Sequence, residues 1–139
     1  EKVWQLVADF CAIDQWAPGV HKCIASGGNQ PGGTRVIVIG EEGGPEIHEE
    51  LLKYDAEKMT YKYKITKTDN AILPVITYSA FFTVRDAGEN MTEVEWRSGF
   101  YRAYPNNNPP PELNDEAAVK AVTGAYKSGL AALKALAEQ

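Results

Sequence analysis

Tyr63, Tyr78 and Trp96 carry polar atoms on aromatic rings, and each sits in a segment that alternates apolar and polar residues. Met59, Tyr61, Tyr63 and Ile65 interleave with Thr60, Lys62 and Lys64. Thr92, Val94, Trp96, Ser98 and Phe100 repeat the pattern, and Ile76, Tyr78, Ala80, Phe82 and Val84 lean the same way. A period of two marks strands with one face buried and one in water. An aliphatic buried face would read as packed core. Hydroxyl- and indole-bearing rings on neighbouring strands need polar partners once buried, and they suit the lining of a cavity that donates hydrogen bonds to a ligand.

Other chemistries find less support. His21, Cys23 and His48 are soft ligands without a short-spaced pair or a fourth member, so no metal is expected. Ser26, Ser79, Ser98 and Ser128 have no acid–base pair beside them in sequence, as a nucleophilic serine requires. Gly27-Gly28 and Gly32-Gly33 flank a loop that lacks the lysine and the helix start of a phosphate cradle.

The elements that must position the aromatic face follow from the same pattern. Val3, Leu6, Val7 and Phe10 have helical spacing over 1–9, and a turn or one-turn helix covers 14–19. Strands are predicted near 20–25, 34–40, 46–54, 59–67, 75–85 and 91–102. Their short Gly-, Pro-, Asp- and Asn-rich connections indicate an antiparallel meander. The proline-rich 104–111 segment can continue neither a strand nor a helix. Beyond it a helix is predicted over about 115–137, with Val119, Val122, Tyr126, Leu130, Leu133 and Ala137 on one stripe. Gly124 and Gly129 are costly inside that helix, by roughly 1 kcal/mol each, which points to a close approach there. A one-faced sheet needs a cover and the helix offers one apolar stripe, giving an α+β fold with a hollow between them.

The 139 residues make one domain with 44% hydrophobic and 24% charged residues, ordinary for a globular chain. A net charge of −5 with scattered basic residues argues against a nucleic-acid partner. No apolar run approaches a membrane span. Cys11 and Cys23 read as two reduced, small hydrophobes of a cytoplasmic protein, with a bridge between them the alternative.

The chain resembles the START-like, Bet v 1-like superfamily in its polyketide cyclase/dehydratase branch. The resemblance covers nearly the whole chain. It rests on Val3-Trp4, Asp9-Phe10, Trp16-Ala17-Pro18-Gly19, Pro31-Gly32-Gly33 with Arg35, and Glu49-Glu50-Leu51-Leu52 with Tyr54-Asp55. It continues through Tyr61 to Ile65, Leu73-Pro74-Val75 with Tyr78, Glu95-Trp96 with Phe100, and Gly129-Leu130 with Leu133. It implies a helix-grip fold, a curved antiparallel sheet around the long C-terminal helix with an internal cavity. It also implies a small hydrophobic ligand and no cofactor. Plant lachrymatory-factor-synthase-like proteins are similar over the same stretch, and the Arg, Glu and Tyr associated with proton transfer there match Arg35, Glu49 and Tyr78. Tyr63, Trp96 and Leu130 are then expected to line the cavity, with its mouth near 70–74 and 104–111. Members of the family usually have a strand before the first helix. Some 8–12 residues are therefore expected to precede Glu1, and an open edge in their place would invite pairing into a homodimer.

Periodicity alone leaves the parity of the strands holding Arg35 and Glu49 open, since either alternation could face inward; the resemblance selects these two. If both point inward, they form either a structural ion pair or a proton-transfer site. In the second case Glu49 shuttles the proton, Arg35 stabilises an oxyanion or enolate, and Tyr78 donates a hydrogen bond. The first function expected is a cofactor-independent cyclase, dehydratase or isomerase. The alternatives are a carrier or sensor of an apolar molecule and, more distantly, a co-chaperone-like protein-binding module.

Overall fold

The computed structural model describes residues 2–139. The front of the chain folds as α1 (Lys2–Val7), a 3-10 turn (Phe10–Ala12) and α2 (Ile13–Trp16). Asp9 starts the turn by accepting a hydrogen bond from the Cys11 amide, a standard way to satisfy an otherwise orphaned donor. Val3, Trp4, Val7, Phe10, Ile13 and Trp16 all end up buried.

Six strands follow: β1 (Val20–Ser26), β2 (Thr34–Ile39), β3 (Glu46–Asp55), β4 (Thr60–Lys67), β5 (Val75–Gly88) and β6 (Met91–Arg102). They pair only with sequence neighbours, in the order β1-β2-β3-β4-β5-β6, all antiparallel. This is the predicted meander. The inward face carries Ile37, Ile47, Leu51, Tyr61, Tyr63, Tyr78, Ala80, Phe82 and Val84.

Two bulges decide which side chains reach that face. In β3 the register steps between Leu51 and Lys53 against β4. In β5 it steps between Ile76 and Ser79 against β6. The extra residue lets Val75 and Tyr78, three apart, both face inward, while Ile76 turns out to solvent. The predicted inward position of Ile76 is therefore corrected. Thr77 takes φ of 52° at the bulge, a left-handed conformation that a β-branched residue rarely adopts.

The cover is α3 (Asp115–Ala137). Asn114 caps it by accepting from the Ala117 amide at 2.8 Å, with Asp115 and Glu116 in the first turn where the helix dipole favours them. Its buried positions are Ala118, Val122, Gly129 and Leu133. Val119, expected against the sheet, is 53% exposed. The contact stripe is offset from the one weighted by large aliphatic residues, because small side chains allow the closest approach to the aromatic face.

Cys11 and Cys23 are joined in a disulfide, which corrects the reduced reading. The Phe10–Ala12 turn lies across β1, and the Cα atoms are 5.6 Å apart, inside the range a bridge spans. Asp14 reinforces the placement by accepting from the Cys23 amide at 3.2 Å. With the pair bridged, the cysteines no longer argue for a cytoplasmic location. No described helix is long and apolar enough to cross a membrane.

The bridge closes a short loop, 12 residues apart in sequence, and loops of this size contribute about 2–3 kcal/mol when cross-linked. Reduction should lower the unfolding free energy by that amount, read as a lower urea midpoint, in wild type and leave a Cys11→Ser/Cys23→Ser variant unchanged. Equal midpoints with and without reductant in wild type would contradict the bridge.

Candidate active site

Arg35 lies directly opposite Glu49 in the β2–β3 ladder, and both face inward with Ile37, Ile47 and Leu51. This settles the alternation that periodicity left open. Arg35 is 2% exposed and Glu49 5%. Arg35 Nε and Nη2 each lie 2.6 Å from Glu49 Oε1. Nη1 donates to the Phe10 carbonyl, and the guanidinium stacks 3.8 Å from the centre of the Phe10 ring and 5.0 Å from that of Tyr63. Every nitrogen of the guanidinium is thus committed to the protein. Glu49 Oε2 makes no hydrogen bond among the described residues, and no fully buried side-chain oxygen or nitrogen there lacks a partner. Glu49 lines the pocket described below.

Burial and pairing act on these two groups in opposition. Burial works against the Arg35 charge, yet Glu49 beside it holds the guanidinium above its ordinary value. Burial pushes the Glu49 carboxyl above the usual carboxylate value, and the Arg35 charge and hydrogen bond recover only part of that. A carboxylate so placed binds and releases protons nearer neutrality than an exposed one.

A second cluster grows from β4, β5, β6 and α3. Trp96 Nε1 donates to Tyr63 Oη at 2.8 Å; Tyr63 Oη meets Tyr78 Oη at 3.4 Å, and Tyr78 Oη is hydrogen-bonded to Tyr126 Oη. The Tyr126 ring stacks on Trp96 at 4.1 Å and 15°, and Phe100 stacks on Tyr78. Burial pushes all three phenols up: Tyr63 and Tyr78 far up, Tyr126 only to about 12, because Ser98 and Tyr78 partly offset the burial. Gly129 explains the fit of the helix. A Cβ there would lie 3.0 Å from the Trp96 ring and 3.2 Å from that of Trp16. Gly124, by contrast, has open space around it and lines the pocket.

The two clusters share one pocket of about 1030 Å³. Ile13, Val20, Ile37, Ile39, Ile47 and Leu73 give it an aliphatic wall, and Arg35, Glu49, Tyr63, Tyr78, Trp96 and Tyr126 give it a polar one. Five of the six expected site residues therefore converge: Arg35, Glu49, Tyr78, Tyr63 and Trp96. Leu130 does not line the pocket; the helix offset turns Ala121, Ala125 and Tyr126 toward it instead. At the mouth, residues 70–74 contribute as expected, whereas 104–111 do not, and Glu112 and Leu113 take that place. Tyr126 was not expected as a site residue, although its position in the helical stripe placed it on the sheet-facing side. His21 and His48 pair with Glu42 and Glu46 on the surface, and no group of three metal-ligating side chains occurs among the described residues.

The sequence matches the family described as polyketide cyclase / dehydrase and lipid transport over residues 1–138. The chain belongs to this family. Solved structures place the family's helix-grip fold on a wide range of sequences. The protein XoxI from Bacillus cereus is 28% identical, with a TM-score of 0.75 over 95% of this chain and 82% of that one. An uncharacterized protein from Bacillus thuringiensis is 27% identical, with a TM-score of 0.78 over 99% of this chain and 90% of its own. The Zhui aromatase/cyclase from Streptomyces sp. R1128 shares the fold at 14% identity, with a TM-score of 0.74 over 99% of this chain and 85% of that one. No curated protein matches the chain.

Two variants test how this family member builds its site. Gly129→Ala should destabilise the protein by about 1–3 kcal/mol, the usual range for overpacking, and quench or shift Trp96 fluorescence as the indole moves. An unchanged urea midpoint would mean that the helix does not sit this close. Arg35→Met removes the partner that holds the Glu49 pKa down, so burial alone acts and the folded-state pKa rises further above the unfolded one. The folded state then binds the Glu49 proton more tightly, so stability from this group is present at low pH and lost as pH rises. The deficit against wild type should reach about 3–5 kcal/mol at neutral pH and shrink toward pH ~5. A deficit independent of pH would contradict a buried pair.

Proposed function

We propose that the pocket binds a small, largely apolar molecule with a carbonyl-type oxygen and catalyses proton transfer on it without a cofactor, as a cyclase, dehydratase or isomerase does. The observation that carries this reading is the division of labour within Glu49. Oε1 is held by two nitrogens of Arg35, while Oε2, on a carboxyl whose pKa is raised by burial, remains for a substrate proton. Arg35 then positions the base, since each of its three nitrogens already donates to Glu49 or to the Phe10 carbonyl. The aliphatic wall excludes water and seats the apolar body; the phenols around Tyr78 face the oxygen on which charge develops. Membership of the cyclase / dehydrase family and the fold shared with an aromatase/cyclase support the same direction.

A carrier is the second reading, favoured by the close pairing of Arg35 with Glu49 and Phe10 and by the lipid transport in the family description. One variant separates the two readings. Wild type should accelerate deuterium exchange at the carbon next to the carbonyl of apolar ketones, followed by proton NMR. Glu49→Gln should retain ligand binding and lose that acceleration by about 100-fold or more, the scale of general acid–base assistance. Unaccelerated exchange in wild type with ligand bound would leave the carrier.

A further inference from the structure

The hydroxyl chain at the polar wall starts from a donor of fixed sense, and the simplest hydrogen count runs outward from it. The indole Nε1–H of Trp96 can only donate, so Tyr63 Oη accepts at 2.8 Å. Tyr63 is 1% exposed, and Tyr78 Oη lies 3.4 Å from its hydroxyl, with Tyr126 beyond it in the same cluster. A buried hydroxyl proton finds a partner, so Tyr63 donates to Tyr78. Tyr78, buried in turn, is hydrogen-bonded to Tyr126, and a chain that continues in the same sense has Tyr78 donating to it. The chain therefore runs Trp96 to Tyr63 to Tyr78 to Tyr126. It ends on a phenol whose oxygen is hydrogen-bonded by Tyr78 and by the Ser98 hydroxyl beside it; a Ser98 hydroxyl that donates to Tyr126, as its lowering of the phenol's pKa requires, leaves the Tyr126 proton for the pocket.

Tyr126 lines the pocket and is the only member of the chain on α3. Its ring is held by the stack on Trp96 at 4.1 Å. We propose that Tyr126, and not Tyr78, is the hydrogen-bond donor that selects ligands, and that it requires an acceptor oxygen at the polar end of an otherwise apolar molecule. Tyr78 is then a positioning residue whose hydroxyl is used within the chain. Cooperative hydrogen bonding along such a chain makes the terminal proton a stronger donor than that of an isolated phenol. Tyr126 is also the most acidic of the three linked phenols, at about 12. The inference rests on the pocket being the ligand site, so the test scores occupancy and oxygen selection separately.

The probes are acetylnaphthalene and isopropenylnaphthalene, flat and nearly equal in shape, of which only the first carries an acceptor oxygen. Binding of each is measured by fluorescence titration to wild type, Tyr126→Phe and Tyr78→Phe, with melting curves as a fold control. Relative to wild type, Tyr126→Phe should reduce the preference for the ketone by roughly 3- to 10-fold, the effect of one neutral hydrogen bond, and leave the hydrocarbon's affinity unchanged. Tyr78→Phe should retain part of the preference, because Tyr126 keeps its proton. If both probes bind but Tyr126→Phe leaves the preference intact, the inference fails and the pocket reading survives. If Tyr126→Phe does not fold, the Tyr78→Phe result decides: a complete loss of preference with Tyr126 in place assigns the donor to Tyr78 and overturns the inference. Failure of both probes to bind wild type overturns the inference and the pocket reading together.

Discussion

The buried Arg35–Glu49 pair is the interaction on which the rest of the site depends. Two buried charges in the middle of a curved sheet are tolerable only if they are closely matched, because desolvation of each costs several kcal/mol. Here the match is made by the direct β2–β3 pairing and completed from outside the sheet. Phe10 supplies both a carbonyl for Nη1 and a ring face for the guanidinium. The turn that carries Phe10 is held by Asp9, by Asn29 accepting from the Phe10 amide, and by the Cys11–Cys23 bridge to β1. The front of the chain is therefore a clamp on the charged pair as well as a cover for the sheet.

The second constraint is how close α3 comes. Gly129 removes the side chain that would meet Trp96 and Trp16, and Trp96 can then serve two neighbours at once. Its ring supports Tyr126 while its N–H starts the hydroxyl chain at Tyr63. The bulge at Thr77 does the same job from the sheet side, bringing Tyr78 inward beside Val75. Backbone strain at such a position, of order 1–3 kcal/mol, persists only where surrounding structure over-determines it, as the Tyr63, Tyr126 and Phe100 contacts of Tyr78 do.

The meander, the strand limits and the long helix were legible because alternation and helical spacing are local signals. The polar aromatic face was legible for the same reason, in Tyr63, Tyr78 and Trp96. Arg35 and Glu49 were not fixed by pattern, since both strands carry apolar residues on both parities, and only the resemblance chose between them. Leu130, Val119 and Ile76 were misplaced for related reasons. A hydrophobic stripe weights large residues, whereas the helix packs through Ala118 and Gly129, and a one-residue bulge reverses the parity that alternation assumes. The Cys11–Cys23 bridge depends on a turn crossing a strand, which spacing cannot reveal. Tyr126 lay in plain view on the helical stripe; what spacing could not show was that its partners come from β5 and β6.

Glu49 is the point at which burial and ion pairing compete, and its titration decides which of them governs the site. Selective carbon-13 labelling of glutamate, with the Glu49 carboxyl signal assigned by comparison with Glu49→Gln, reads that titration directly. A midpoint above the ordinary glutamate value of 4.5 is the expected result, the signature of a carboxylate kept available for proton transfer. A midpoint below that value would mean that Arg35 dominates, and Glu49 would then be a structural counter-ion and not a base.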